Sequence, residues 1–233
     1  MKCKARLLLA CGFAAFSLGF VFTLHATGQK PTLTEVLAKM DQASRSLRSL
    51  EADIERTKVT VVVNDRVVET GKVYVARSGS SPRRVKIEFT KPAQQSVLID
   101  KGLLRVFNHG QKRVDERKVS REDQDTAECV LLGLCQSADN LKKFEAAVIG
   151  EEPVDGLNAA VLDLKPKTPD IGRNFSAIRL WLHPEHWIAV QLRVTEANGD
   201  YQTVKLTNLR WNRGVSNSVF NLKLPKDVRV NKL

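Results

Sequence analysis

Arg84-Val85-Lys86-Ile87-Glu88-Phe89 sets charged and apolar side chains in strict alternation. Successive side chains of a strand point to opposite faces, so Val85, Ile87 and Phe89 share one face while Arg84, Lys86 and Glu88 share the other. Such a strand is half-buried, dry on one side and wet on the other. The pattern returns later in the chain. Ile178, Leu180 and Leu182 oppose Ala177, Arg179 and Trp181, and Ile188, Val190, Leu192 and Val194 oppose Gln191 and Arg193.

Outward from this stretch, strands follow one another almost without interruption. Residues 52–63, 66–77 and 83–90 are rich in Val, Ile, Thr and aromatics, with Asn64-Asp65 as the turn between the first two. Shorter strands read at 96–100, 103–108 and 112–118, then at 143–149, 159–165, 176–182, 186–195 and 201–211. Lys101-Gly102, His109-Gly110, Asp155-Gly156, Pro184 and Asn198-Gly199-Asp200 supply turn chemistry between them. Eleven strands joined by short turns predict a mainly β chain, an antiparallel meander forming a strongly curved sheet or barrel.

So many apolar strand faces must close on each other, lie under helices or line a cavity. One cover opens the chain. Thr32 and Glu35 form a capping-box pattern after Pro31, and Leu33, Val36, Leu37, Met40, Leu47 and Leu50 recur at helical spacing. Opposite them lie Lys39, Gln42, Arg45 and Arg48, which makes the helix amphipathic. A second cover lies within 120–138, where Glu122, Asp123 and Asp125 precede the apolar run Cys129-Val130-Leu131-Leu132-Gly133-Leu134-Cys135. The acids and Ala127 favour a short buried helix or lid; the alternative is a central strand.

The chain has 233 residues, 42% of them hydrophobic and 27% charged, with a formal net charge of +11. This composition argues against disorder and against a polytopic membrane protein. Three of the 37 bases, Lys2, Lys4 and Arg6, precede the apolar run Leu7–Leu24, and Ala26-Thr27-Gly28 follows it with small residues. Residues 1–28 read as a secretory signal peptide cleaved near Gly28; the alternative is an uncleaved anchor. Without them 34 bases face 26 acids, an excess dispersed along the chain rather than gathered in a nucleic-acid groove. Cleavage leaves two cysteines, Cys129 and Cys135. Export permits a disulfide, but positions i and i+6 of an unbroken helix lie about 9 Å apart, beyond disulfide reach. Either Gly133 breaks the helix or both are buried thiols.

Two stretches carry a resemblance to a known family. Gly71-Lys72-Val73-Tyr74-Val75-Ala76-Arg77, followed by Pro82-Arg83-Arg84-Val85-Lys86-Ile87-Glu88-Phe89-Thr90-Lys91-Pro92, resembles the LolA-type periplasmic lipoprotein carriers. Those show a glycine, an alternating strand with an aromatic, a basic residue, a proline, three alternating large apolar residues and a second proline. The turn Asp100-Lys101-Gly102 and the tail Phe220-Asn221-Leu222-Lys223-Leu224-Pro225 also match, so the likeness spans residues 32–230. It implies an unclosed antiparallel β-barrel whose concave apolar face is covered by helices, formed by residues 29–233 as a single domain. It further implies a monomeric periplasmic carrier without cofactor, which takes acylated lipoproteins from an inner-membrane ABC transporter to an outer-membrane acceptor. Tyr74, Val85, Ile87, Phe89, Leu131, Leu132 and Leu134 are the expected lining of its groove. Arg77 is the expected basic residue at the rim, although Ser78-Gly79-Ser80-Ser81 separates it from Pro82, where the family usually has the two adjacent. Two other readings fit the same half-barrel: a regulatory domain that senses lipids or lipoproteins, and a carrier of another amphiphile such as a glycolipid.

Catalytic readings find little support. His183 and His186 flank Pro184-Glu185 where a hairpin should turn, with no third ligand in reach of a metal. No phosphate loop, nucleophile elbow or Cys/His cluster appears. A nucleic-acid face needs basic residues interleaved with aromatics on one side, and only Arg179-Leu180-Trp181 and Arg210-Trp211 hint at it.

Overall fold

The computed structural model describes residues 31–77, 82–134, 141–168 and 175–233, apart from the side chains at 130 and 131. The chain opens with helix α1 (Leu33–Ser46), then runs through β1 (Ser49–Thr60), β2 (Asp65–Ala76), β3 (Arg84–Lys91), β4 (Gln95–Asp100), β5 (Leu103–Asn108) and β6 (Arg113–Lys118). Helix α2 (Arg121–Leu132) interrupts the strands. β7 (Phe144–Val154), β8 (Leu157–Pro166), β9 (Phe175–Leu182), β10 (Ala189–Glu196) and β11 (Tyr201–Trp211) follow, and after a 3-10 turn at Asn217–Phe220 the chain ends in β12 (Arg229–Lys232).

All strands belong to one sheet in the order β12-β6-β5-β4-β3-β2-β1-β11-β10-β9-β8-β7. Neighbours pair antiparallel except β12, which lies parallel to β6. The sheet is unclosed, with β7 and β12 at its edges. Among the described residues twelve strands stand where eleven were expected; the extra one, Arg-Val-Asn-Lys, is short and exposed and carries no alternation to read.

The alternation places the main core. Val73 and Val75 of β2 pair with Ile87 and Val85 of β3. They share one buried cluster with Phe89, Leu162, Leu180, Leu192, Val204 and Leu206 from the rest of the sheet. Both helices lie on this face: Val36, Met40, Ala43 and Leu47 join the cluster from the α1 segment, and Cys129, Leu132 and Leu134 from the α2 segment. Gly71 stands where a bulge shifts the β2–β3 register. An added Cβ would lie 1.8 Å from the Glu88 carbonyl oxygen, so only glycine allows the strands to approach this closely.

The opposite face is drier than the pattern predicts. Trp181 packs with Val154, Ala159, Val161 and Val190 in a second cluster, and its indole N–H donates to Glu152 at 2.7 Å. Val190 joins it because the β9–β10 register shifts between Ala189 and Gln191, breaking its alignment with Ile188 and Leu192. A third cluster forms where Phe220 covers Ala76 and Leu98.

Helix α1 begins at the expected capping box, with Thr32 and Glu35 bonding reciprocally. It stops at Ser46 rather than continuing to Leu50. The reason is tertiary. The Asn212 side chain accepts from the N–H groups of Arg48 and Ser49 and donates to the Ser46 carbonyl, turning the chain out of the helix into β1.

Candidate functional site

Helix α2 is a helix and not a strand, and its two ends show why. Ser120 and Asp123 close a capping box at the start. At the other end Gly133 adopts φ 63°, ψ 15°. There the Gly133 N–H bonds to the Cys129 carbonyl at 2.9 Å and the Leu134 N–H to that of Glu128 at 3.2 Å. The left-handed residue lets these two bonds close the last turn and satisfy its carbonyls. Gly133 therefore breaks the helix, and Leu134 folds back into the core.

A Cβ at Gly133 would also lie 2.3 Å from the Ala189 Cβ. Gly133→Ala is expected to destabilise the domain by at least roughly 1–2 kcal/mol from the left-handed conformation alone. Urea unfolding reads this, and an unchanged midpoint would contradict the tight seat described for α2. Cys129 is disulfide-bonded; Cys135 lies outside the described residues.

The two helices are joined to each other and to the sheet by one buried polar cluster centred on Arg83. The Arg83 side chain has 1% exposure and Glu128 the same. One guanidinium nitrogen lies 2.9 Å from the Glu128 carboxylate. Another donates to the carbonyl and the hydroxyl of Ser44 on α1, at 2.6 and 2.7 Å. Gln124, one turn before Glu128 on α2, donates to the second Glu128 oxygen at 2.9 Å and to the Arg83 carbonyl at 2.5 Å. The rigid fork of an arginine can hold two helices in this way, whereas the point charge of a lysine cannot.

Around the cluster are further charges. Arg77, half-buried just beyond β2, donates its backbone N–H to the Arg48 carbonyl. Burial and the like charge of Arg83 push its guanidinium below the ordinary value. Burial, then the neighbouring Glu128, raises the Asp125 carboxyl, against the pull of Arg121, Arg83 and Arg77. Ionised Asp125 therefore works against the docked helix, and acidification removes that cost.

The expected lining residues divide. Val85, Ile87, Phe89, Leu132 and Leu134 meet in the main cluster under the helices. Tyr74 does not. Between Val73 and Val75 it must face the other way, and it packs against the cluster around Phe220 instead. The side chain of Leu131 lies outside the described residues. Arg83 bridges the helices, and Ser44, Gln124 and Glu128 are its unforeseen partners. Their signal was available: Gln124 and Glu128 are four apart on α2, and Ser44 falls beside Met40, Ala43 and Leu47 on the apolar side of α1. His183 and His186 stack at 4.6 Å in the turn between β9 and β10.

An open antiparallel sheet with its concave apolar face roofed by two pinned helices defines a class of binding fold in which the roof and the sheet share one core. The family model for the outer membrane lipoprotein carrier protein LolA matches residues 45–223, and the chain belongs to this family. Among solved structures, an uncharacterized conserved protein from Thermus thermophilus is 12% identical, with a TM-score of 0.55 over 86% of this chain and 98% of that one. The MucA/MucB complex of Pseudomonas aeruginosa gives 13% identity and a TM-score of 0.53 over 81% of this chain and 60% of the matched one. The chain thus spans about three fifths of the length of that chain. None of the curated proteins matches. The structural likenesses show the fold.

Proposed function

We propose that this chain is a periplasmic carrier of acylated lipoproteins, acting by binding and release rather than by catalysis. In this reading residues 1–28 are a signal peptide removed near Gly28, and residues 29–233 form the carrier domain. The observation that carries it is the buried Arg83 cluster, a charged clasp set between two helices over a mainly apolar face. A permanent roof would be better served by apolar packing, since a buried ion pair is a poor source of stability. A roof that must lift suits a clasp with discrete open and closed states.

Acyl chains would take the place that Leu132 and Leu134 occupy against Val85, Ile87 and Phe89. Each buried methylene contributes about 0.8 kcal/mol, so a multiply acylated lipoprotein cannot be left in water. Arg77 stands beside the clasp as a second cation at its rim. With residues 1–28 removed, Cys135 is the partner that this reading gives Cys129. An inner-membrane ABC transporter would load the carrier and an outer-membrane acceptor would unload it.

Native mass spectrometry of the protein recovered from its own host tests the cargo. The expected result is a mass increment matching an acylated lipoprotein. An increment matching a glycolipid would favour a carrier of another amphiphile. Failure to take up a supplied triacylated peptide would remove the carrier reading.

A further inference from the structure

The hairpin between β1 and β2 reaches past the rest of the sheet. On one side β3 stops at the Thr70–Lys91 pair, leaving Asp65–Glu69 without a neighbour there. On the other side β11 pairs with β1 only as far as Val59, opposite Tyr201, after which the Asp200 carboxylate accepts from the Val61 N–H at 2.8 Å. Beyond that point stand Val61, Val62 and Val63, at 52, 88 and 69% exposure, while Val67 and Val68, at 39 and 38%, lie further back, opposite Lys58 and Thr57. Five of the nine large apolar side chains exposed among the described residues lie on this one hairpin.

Their arrangement is informative. A strand that docks into a protein groove is apolar at alternate positions, because only one face is covered. Here Val61-Val62-Val63 are consecutive in the turn beyond β1, and Val67-Val68 are consecutive in β2 behind it, so apolar side chains stand on both faces of the ribbon. Only a medium that surrounds the tip satisfies both. Behind Val61–Val63 the chemistry changes: Thr60 pairs with Asp65, and the next row carries a cation. Val59 pairs with Arg66 on one side and Tyr201 on the other, and the Arg193 guanidinium lies over the Tyr201 ring at 4.4 Å. Lys58 is one residue further back. A collar of tyrosine and cations behind an apolar tip matches the layering of a bilayer surface, where aromatics and basic groups sit at headgroup depth.

We infer that the β1–β2 hairpin docks this protein on an anionic lipid bilayer, with Val61–Val63 entering the acyl boundary and Arg66, Arg193 and Tyr201 at the headgroups. This goes beyond the carrier reading and holds whatever the cargo is. It gives the molecule a lipid-facing end of its own, distinct from the core under α1 and α2.

Because residues 1–28 are themselves apolar, the readout is placed in the tip. Val62→Trp is mixed with vesicles of phosphatidylethanolamine and phosphatidylglycerol at three to one, and its emission is compared with that of the wild type. The expected result is a blue shift with quenching by lipids brominated on their acyl chains. Adding Val61→Ser and Val63→Ser to Val62→Trp should raise the lipid concentration at half-effect about tenfold, while binding of a soluble acyl probe stays unchanged. The exposed tip tolerates these changes, so thermal unfolding should coincide for all variants. An unshifted and unquenched emission overturns the inference, as does an equal lipid midpoint after serine substitution. A shift that depends on protein concentration without vesicles would overturn it too, by assigning the tip to a second copy of the chain.

Discussion

Arg83→Leu is expected to cost about 3–5 kcal/mol of docking energy, the range for removing one partner of a buried ion pair. Glu128, at 1% exposure, would lose its guanidinium partner while Gln124 still donates to it, and the Ser44 carbonyl and hydroxyl would lose the donor they share. The loss falls unevenly. The sheet is held by its own ladder and by contacts among Val73, Val85, Leu180 and Leu192, none of which needs Arg83. The helices depend on Arg83 to bridge them. Amide exchange along α2 should therefore accelerate strongly while β1, β2 and β3 stay protected. A fluorescent fatty-acid probe should bind more tightly, because the closed roof competes with the ligand for the same face.

Arg83→Lys should restore little of this, since one ammonium cannot reach both α1 and α2 in the arginine's geometry. Arg83→Met combined with Glu128→Leu should recover much of the stability, because no charge is left buried without a partner. Equal exchange and equal probe binding in Arg83→Leu would show that the cluster does not hold the roof down.

How much of this could be read from residues alone follows from what each signal reports. Period-two alternation reports faces, so the strands and the concave set Val85, Ile87 and Phe89 were legible. Capping boxes report local backbone, so the start of α1 was legible as well. Tyr74 is the aromatic of the family motif, but parity sets it opposite Val73 and Val75, and it packs toward Phe220. Parity could have found the clasp: Arg83 is in phase with Val85, Ile87 and Phe89, as Arg77 is with Val73 and Val75. Which of the two would be buried depends on how the chain passes from β2 to β3, and that is tertiary. So are the cap that Asn212 places on α1 from across the chain and the register shift that moves Val190 beside Trp181. Neither leaves a mark on local pattern.

Leu132→Glu attacks the same roof from its apolar side, and its effect should carry the opposite sign for ligand. Leu132 is fully buried in the core near the C-terminal end of α2. Its removal forfeits about 1.5–3 kcal/mol of burial. The new carboxylate would sit among hydrocarbon, at the helix end that disfavours negative charge. Such a group resists ionisation, so its folded value rises above the ordinary value of about 4.3. The pH dependence follows. Below that value both folded and unfolded chains carry the proton, and the variant suffers only the lost burial. Above it the unfolded chain ionises first, and stability falls by about 1.4 kcal/mol per pH unit until the folded group ionises or α2 leaves the sheet. Urea midpoints should therefore separate from wild type far more at pH 8 than at pH 4.5. Undocking alone, as in Arg83→Leu, should favour the acyl probe. A carboxylate facing the emptied groove should instead abolish probe binding, because the chain would have to desolvate it. Leu132→Met, which conserves volume, should cost less than about 1.5 kcal/mol and keep binding. Probe affinity retained in Leu132→Glu at pH 8, with the sheet intact, would mean that acyl chains do not occupy the face beneath α2.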